Sequence, residues 1–249
     1  MSPDLKPTIV AFAGAWHPAS ALEPFIQDLQ AQGYPAEAHK LKITGDPTAL
    51  KEDDSELMRS VLLSHIEKGK DIVFIAHSMA GLGASLAIKG LHKKERASKG
   101  LTGGLAGIVY IAAFIPSSAM DGHTPDPRVI PDPATGLASI TDAVNFFYNE
   151  CPTDVAEATV KTLQGLSLKA LITPTAKGYL DDADLDGCRG YIACEKDNAV
   201  PFRLQKAMVE TSGLRWSVKY MDTDHSPFLS QRPRLVELVE ELIAEFEKA

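Results

Sequence analysis

Short apolar runs rich in β-branched residues alternate along the chain with longer stretches whose apolar positions recur every three or four residues. That alternation predicts an α/β fold: a mostly parallel central sheet flanked by helices. Thr8 to Ala13 reads as a first buried strand. Leu22 to Gln32 reads as a helix stopped by Gly33. Tyr34 to Lys40 is a weakly patterned strand. Leu57, Met58, Val61, Leu62 and Ile66 then form an apolar stripe at helical spacing, closed by Gly69. Asp71 to Ala76 is nearly all apolar and β-branched, so both of its faces are expected to be buried. A helix from about Gly81 to Leu91 follows directly. Lys93 to Lys99, with four Lys or Arg, reads as a solvated loop. Leu105 to Phe114 is the next strand, Phe202 to Thr211 a helix, and Arg215 to Met221 the last strand. The closing helix buries Leu235, Val236, Leu238, Val239, Leu242, Ile243 and Phe246.

Ile115 to Gly187 breaks this rhythm. Its Pro- and Asp-rich opening, Pro125 to Pro133, suits neither regular helix nor central strand. Helical patterns follow at Ile140 to Tyr148, at Asp154 to Leu163 with Thr153 or Asp154 as cap, and at Leu166 to Ile172. The expected organisation is a core of residues 1–114 and 188–249, with residues 115–187 inserted as a helical cap over one edge of the sheet.

Composition narrows the class. The 249 residues are 45% hydrophobic and 23% charged, with a net charge of −8. That suits one large soluble domain with an insertion. The acidity argues against nucleic acid and against anionic membranes as partners. Cys151, Cys188 and Cys194 form no CxxC pair and read as reduced, structural thiols of an intracellular protein. Ile9 to Trp16 mimics a signal-peptide end and Leu101 to Met120 carries no charge. The first barely reaches the roughly 7–15 apolar residues of a signal core. The second falls short of the roughly 20 of a membrane span. Both read as buried strands, and the expected location is the cytoplasm.

The chemistry centres on Ala76-His77-Ser78-Met79-Ala80-Gly81, between the best strand and a helix. A serine at such a turn is forced into a strained backbone that lifts its hydroxyl clear of the sheet. Small residues two before and two after it are expected, because strand and helix approach closely. Serine needs a base. His225, in the loop after the last strand, is the choice among seven histidines. His77 is expected to pack or bond locally, and His39, His65 and His92 to fill solvated or helix-face roles. His123 belongs to the insertion, and His17 follows the first loop, where it could line the site. A carboxylate must orient the imidazole. Asp197, after the strand Tyr191 to Cys194, lies 28 residues before His225. Glu195 is its rival, while Asp222 and Asp224 lie too close to His225 in sequence. The order Ser78, Asp197, His225 is that of α/β-hydrolases. The amides of Ala15 and Met79 are assigned to the oxyanion, with Gly14 turning the backbone inward. Trp16, His17, Phe146 and Phe147 are candidates to bind substrate. No Gly-rich phosphate loop and no metal-ligand spacing is present.

On these residues the sequence resembles the α/β-hydrolase fold superfamily, and within it the small single-cap branch of plant methylesterases, hydroxynitrile lyases and related microbial hydrolases. Ala13 to His17, Asp71 to Gly81, Val109 to Phe114, Cys194 to Asp197 and Asp224 to Phe228 carry the resemblance. It implies a Ser78–Asp197–His225 triad, oxyanion amides at Ala15 and Met79, and no cofactor. Two departures stand out. Ala13-Gly14 replaces the His-Gly common in the branch. Ser226 occupies the place of the lysine that follows the catalytic histidine in hydroxynitrile lyases, which disfavours cyanohydrin cleavage. The expected activity is serine hydrolysis of a small or medium carboxylic ester or lactone. The alternatives are a lyase, cyclase or isomerase using His225 as general base, and a small-ligand receptor that retains the triad.

Overall fold

The computed structural model describes residues 6–121, 124–174, 176 and 178–249; His123 lies outside them. The first strand, β1 (Thr8–Phe12), is buried along its whole length. It is followed by α1 (Glu23–Ala31), β2 (Ala36–His39), α2 (Lys51–Ile66), β3 (Asp71–His77), α3 (Ala80–Ala87), α4 (Lys93–Ser98) and β4 (Gly104–Ile111). Between β4 and the next strand of the main sheet lie β5 (Val129–Asp132), β6 (Leu137–Ile140), α5 (Ala143–Phe147), α6 (Thr153–Val160), β7 (Leu166–Ser167) and α7 (Leu168–Ile172). The chain then completes the sheet with β8 (Arg189–Cys194), α8 (Phe202–Thr211), β9 (Ser217–Met221), α9 (Pro227–Ser230) and α10 (Arg232–Phe246).

Six strands form one parallel sheet in the order β2-β1-β3-β4-β8-β9. Alternation along each strand explains its double burial. Ile9, Ala11, Val73, Ile75, Val109 and Ile111 meet α1 and α10 on one face. Val10, Phe12, Phe74, Ala76, Ile108 and Tyr110 meet α2, α3 and α8 on the other. Both sides are helix-covered, so the central strands lose the polar alternation of half-exposed strands. Gly107 marks the tightest contact: a Cβ there would fall into the ring of Phe246, so α10 lies directly on β4.

Three expectations need correction. Lys93 to Lys99 is not a loop but contains α4, a helix with no buried residue. Local chemistry holds it: His92 Nδ1 accepts from the Lys94 amide at 3.3 Å, and Lys99 pairs with Glu95 at 2.5 Å. His92 is itself buried. The segment between β4 and β8 is not purely helical either, because β5, β6 and β7 form a small antiparallel sheet. Pro131 is tolerated in it because β5 is an edge strand. Ile140 and Leu166, expected to start helices, belong to these strands. Finally, the strand predicted to reach Phe114 stops at Ile111, where Ala112 turns left-handed with φ 45°.

The small sheet is fastened to the core by backbone bonds. Gln164 N–H donates to the Trp16 carbonyl (2.9 Å), Gly45 N–H to Gly165 (2.7 Å) and Ser167 N–H to Ile43 (2.9 Å). Among the described residues no helix is long and apolar enough to cross a membrane.

Gly107→Ala is expected to lower stability by about 1–3 kcal/mol through overpacking against Phe246. Adding Phe246→Leu should recover part of that loss in a denaturant titration. A Gly107→Ala protein as stable as the parent would contradict this packing.

Candidate active site

Ser78 sits between the end of β3 and the start of α3 with φ 55°. A non-glycine residue pays strain in that region unless its surroundings over-determine it. Here they do. Ser78 N–H donates to the Ile111 carbonyl at 3.1 Å, and the Ser78 carbonyl accepts from Gly81 (3.1 Å) and Phe114 (3.0 Å). Ala76 and Ala80 are fully buried, as the close approach of strand and helix requires. The position that admits no side chain at all is Gly81. A Cβ there would strike the Phe114 carbonyl and lie 2.6 Å from the Tyr110 ring. The Tyr110 hydroxyl donates to the Gly81 carbonyl at 2.7 Å.

Gly14 works differently from the expectation. Its φ is not left-handed; the left-handed residue of that loop is Trp16, at 66°. The Gly14 N–H donates to His77 Nδ1 at 3.1 Å. A Cβ on Gly14 would lie 2.6 Å from Ser78 Cβ, so the glycine makes room beside the serine. Because the Gly14 amide can only donate, His77 Nδ1 is the acceptor and Nε2 carries the proton. That Nε2 donates to the His225 carbonyl at 2.9 Å. His77 is thus more than a local packing residue: it bridges the loops of Gly14 and His225. Desolvation, aided by the charges of His225 and His17, holds its pKa well below the ordinary range, so it stays neutral.

Asp197 and His225 lie in the loops after β8 and β9. His225 Nδ1 and Asp197 Oδ2 are 2.7 Å apart, with both side chains buried. Asp197 Oδ1 accepts from the amides of Ala199 (2.7 Å) and Val200 (2.8 Å). Glu195, the rival, is exposed. A residue that sequence reasoning missed completes the arrangement. Gln205, fully buried on α8, donates to Asp197 Oδ2 (3.1 Å) and to the carbonyls of Cys194 (3.1 Å) and Val200 (2.7 Å). Its own oxygen accepts from the Cys194 amide (3.0 Å). The available signal was a polar residue one turn from Met208, on the buried face of α8. Asp224 is structural: it accepts from Glu150 N–H, Cys151 Sγ, Ser226 N–H and the Ser230 hydroxyl.

The pair does not close on the serine. His225 Nε2 is buried without a hydrogen-bond partner, and among the described residues Ser78 Oγ makes no hydrogen bond. Ser78 lines a cavity of about 1010 Å³, together with Ala15, Met79, Trp16, Phe146 and Phe147. Among the described residues, the amides of Ala15 and Met79 meet no acceptor. Of the four side chains expected to bind substrate, only His17 is absent from the cavity wall. It lies fully buried behind it, donating from Nδ1 to the Ala15 carbonyl (2.8 Å) and accepting at Nε2 from the Tyr148 hydroxyl (2.7 Å). Desolvation lowers its pKa to about 4, outweighing the Ala15 bond. Burial pushes the thiols of Cys151, Cys188 and Cys194 upward, away from the thiolate form. Among the described residues no group of three or more His, Cys, Asp or Glu is disposed to hold a metal ion.

A left-handed serine at a strand-to-helix turn, above a parallel sheet and beside a buried His–Asp pair, defines an α/β-hydrolase architecture. The chain belongs to the alpha/beta hydrolase family, whose model matches residues 9–238. The α/β hydrolase nvfD of Aspergillus novofumigatus is 26% identical over 246 residues, covering 94% of this chain and 96% of that protein. The fold is shared with a pyrethroid hydrolase from Sphingobium faniae JZ-2 at a TM-score of 0.74, with 17% identity and 98% and 99% of the two chains covered. It is also shared with the Arabidopsis methylesterase MES16 at a TM-score of 0.69, with 17% identity and coverage of 95% and 99%.

Two outcomes follow from the buried polar groups. Gln205→Leu should cost about 1–3 kcal/mol in a urea titration, because the Cys194 amide and the Val200 carbonyl lose their partner. His17 has a folded pKa of about 4 against 6.5 unfolded, so the unfolded chain takes up its proton first as pH falls. The stability it confers is complete above pH ~6.5 and is lost progressively toward pH ~4. In His17→Gln the drop in unfolding free energy from pH 7 to pH 5 should be smaller than in the parent by roughly 2 kcal/mol. Equal drops would mean that His17 takes up its proton equally readily in both states.

Proposed function

We propose that the protein is a serine hydrolase acting on a small or medium carboxylic ester or lactone, with residues 115–187 capping the active site. The observation that carries this reading is the 2.7 Å bond from His225 Nδ1 to Asp197 Oδ2, placed beside a strained Ser78 that faces the cavity. The structural neighbours, a pyrethroid hydrolase and a methylesterase, support the reading.

In this mechanism Asp197 keeps the proton on Nδ1, so Nε2 is the basic nitrogen. The reaction requires the Ser78 hydroxyl to meet Nε2; such bonds are often open in unliganded enzymes. Ser78 Oγ attacks the carbonyl carbon as His225 takes the hydroxyl proton. The Ala15 and Met79 amides receive the negative charge on the carbonyl oxygen. The tetrahedral species collapses, the C–O bond to the alcohol breaks, and His225 returns the proton to the departing oxygen. Water, deprotonated by His225, then attacks acyl-Ser78; the acyl C–Oγ bond breaks, His225 returns the proton to Ser78 Oγ, and the acid leaves. A lactone passes through the same steps and leaves as one hydroxy acid.

The open Ser78–His225 pair also suits a second reading, in which His225 removes a proton from a carbon acid and no acyl-enzyme forms. Ser78→Ala should abolish hydrolysis of a p-nitrophenyl ester, and Asp197→Asn should lower turnover on the order of 10⁴-fold. Undiminished hydrolysis by Ser78→Ala would reject the proposal. Mass spectrometry of an acyl adduct on Ser78, trapped with a turned-over ester, separates it from the carbon-acid reading.

A further inference from the structure

One cation in the cavity wall makes no ion pair among the described residues. Lys51, the first residue of α2, lines the cavity and is only 6% exposed. Its ammonium donates to the Thr173 carbonyl at 2.6 Å, and Thr173 lines the cavity as well. Among the described residues no carboxylate lies within ion-pairing distance of Lys51 Nζ. Of the acidic residues that follow it, Glu52 acts on it only through its charge, without an ion pair, Asp53 caps the Leu50 amide, and Asp54 accepts from the amides of Lys42 and Ile43. The two acidic residues in the cavity wall are otherwise disposed, Asp126 forked onto Arg128 and Asp121 exposed to solvent. Lys51 is the single cation among the described lining residues.

A buried ammonium needs a partner, and its position at a helix N-terminus adds the unfavourable end of the macrodipole. One carbonyl uses one of its three N–H donors, leaving two. Burial lowers its pKa, and the charge of Glu52 offsets that only in part.

The two groups stand at the same end of one helix pair. A Cβ on Gly83 of α3 would lie 3.4 Å from Asp54 Cβ, and Arg59 donates to the carbonyls of Ala87 (2.8 Å) and Lys89 (2.6 Å). Helices α2 and α3 therefore run side by side in the same direction. Lys51, one turn before Asp54, is level with the start of α3 and hence with the Ser78 turn. Packed helices lie about 8–10 Å apart. Met79 and Leu82 line the same cavity.

We infer that the substrate carries a carboxylate, which pairs with Lys51 while its ester carbonyl sits at Ser78, the two joined by an apolar spacer of the order that separates packed helices, about 8–10 Å. This inference rests on the hydrolase reading of the same cavity. The half-ester keeps its carboxylate through the reaction and leaves as a dicarboxylate, so the ion pair takes no part in bond making.

The test compares monomethyl octanedioate with methyl nonanoate, an uncharged ester of similar length. Binding is measured by calorimetry in a Ser78→Ala background, with and without Lys51→Met, and kcat/KM is measured in the chain with native Ser78. Lys51→Gln, which keeps a donor for Thr173, serves where Lys51→Met melts early. The half-ester should bind roughly 10- to 100-fold more tightly than methyl nonanoate, the span of one charge-assisted hydrogen bond, and loss of the Lys51 charge should erase that preference. A preference unchanged by both Lys51 variants overturns the inference, as does a half-ester that binds no better than methyl nonanoate. Hydrolysis of methyl nonanoate with no Lys51-dependent preference leaves the hydrolase reading standing alone. Lys51-dependent binding without hydrolysis of either ester supports the carboxylate site and removes the ester chemistry.

Discussion

The neutral imidazole of His77 is the constraint on which the site depends. Three loops that are remote in sequence meet at it: the Gly14 amide donates to one nitrogen, the other donates to the His225 carbonyl, and Ser78 follows it in the chain. Protonation would turn Nδ1 from an acceptor into a donor facing the Gly14 N–H, so the bond to Gly14 requires the uncharged ring. Burial enforces that state. Phe228 lies edge-on to the ring at 4.9 Å, sealing it from water. Gly14 completes the constraint by omission, since any side chain there would displace Ser78.

A second layer of polar order supports the first. Gln205 and the Ala199 and Val200 amides fix the Asp197 carboxylate, and Asp197 fixes His225. Asp224, one residue before His225, is held by donors from residues 150 and 151 in the inserted segment. The histidine loop and the α5–α6 part of the insertion therefore form one unit. Both Asp197 oxygens and both Asp224 oxygens have donors, so these buried carboxylates are compensated for their desolvation, while His225 Nε2 is left without a partner.

Much of this was legible in the chain. The buried strands announced themselves by unbroken apolar runs. Ser78 was readable because a strand, a sharp turn and small residues coincide within six positions, and Asp197 and His225 because each follows a strand in order. What stayed hidden depends on partners distant in sequence. The β5–β7 sheet escaped because its strands are only two to four residues long and one contains proline. The helix α4 has no apolar stripe, so its charges looked like a loop. His17 is buried, behind the wall it was expected to line, because Tyr148 and the Ala15 carbonyl satisfy both of its nitrogens. Gln205 and Lys51 gain meaning only from the atoms that surround them.

The fastening of the insertion bears on how the cavity discriminates. Trp16, in the first loop, donates from its indole to the Ala138 carbonyl of the small sheet, and its own carbonyl accepts from Gln164. The wall containing Trp16, Phe146 and Phe147 is thus tied to the core at both of its ends, at the small sheet and at Asp224. A wall so held is formed before a ligand arrives, so ordering it takes little from the binding free energy. Apolar walls of this kind select by volume and discriminate weakly between similar ligands, because each methylene contributes only about 1 kcal/mol. A buried charge discriminates far more sharply, since the wrong ligand leaves it unpaired. In a preformed cavity the polar groups set the choice, and in the reading proposed above two of those in the wall matter most: Ser78 at one point and the Lys51 ammonium at another.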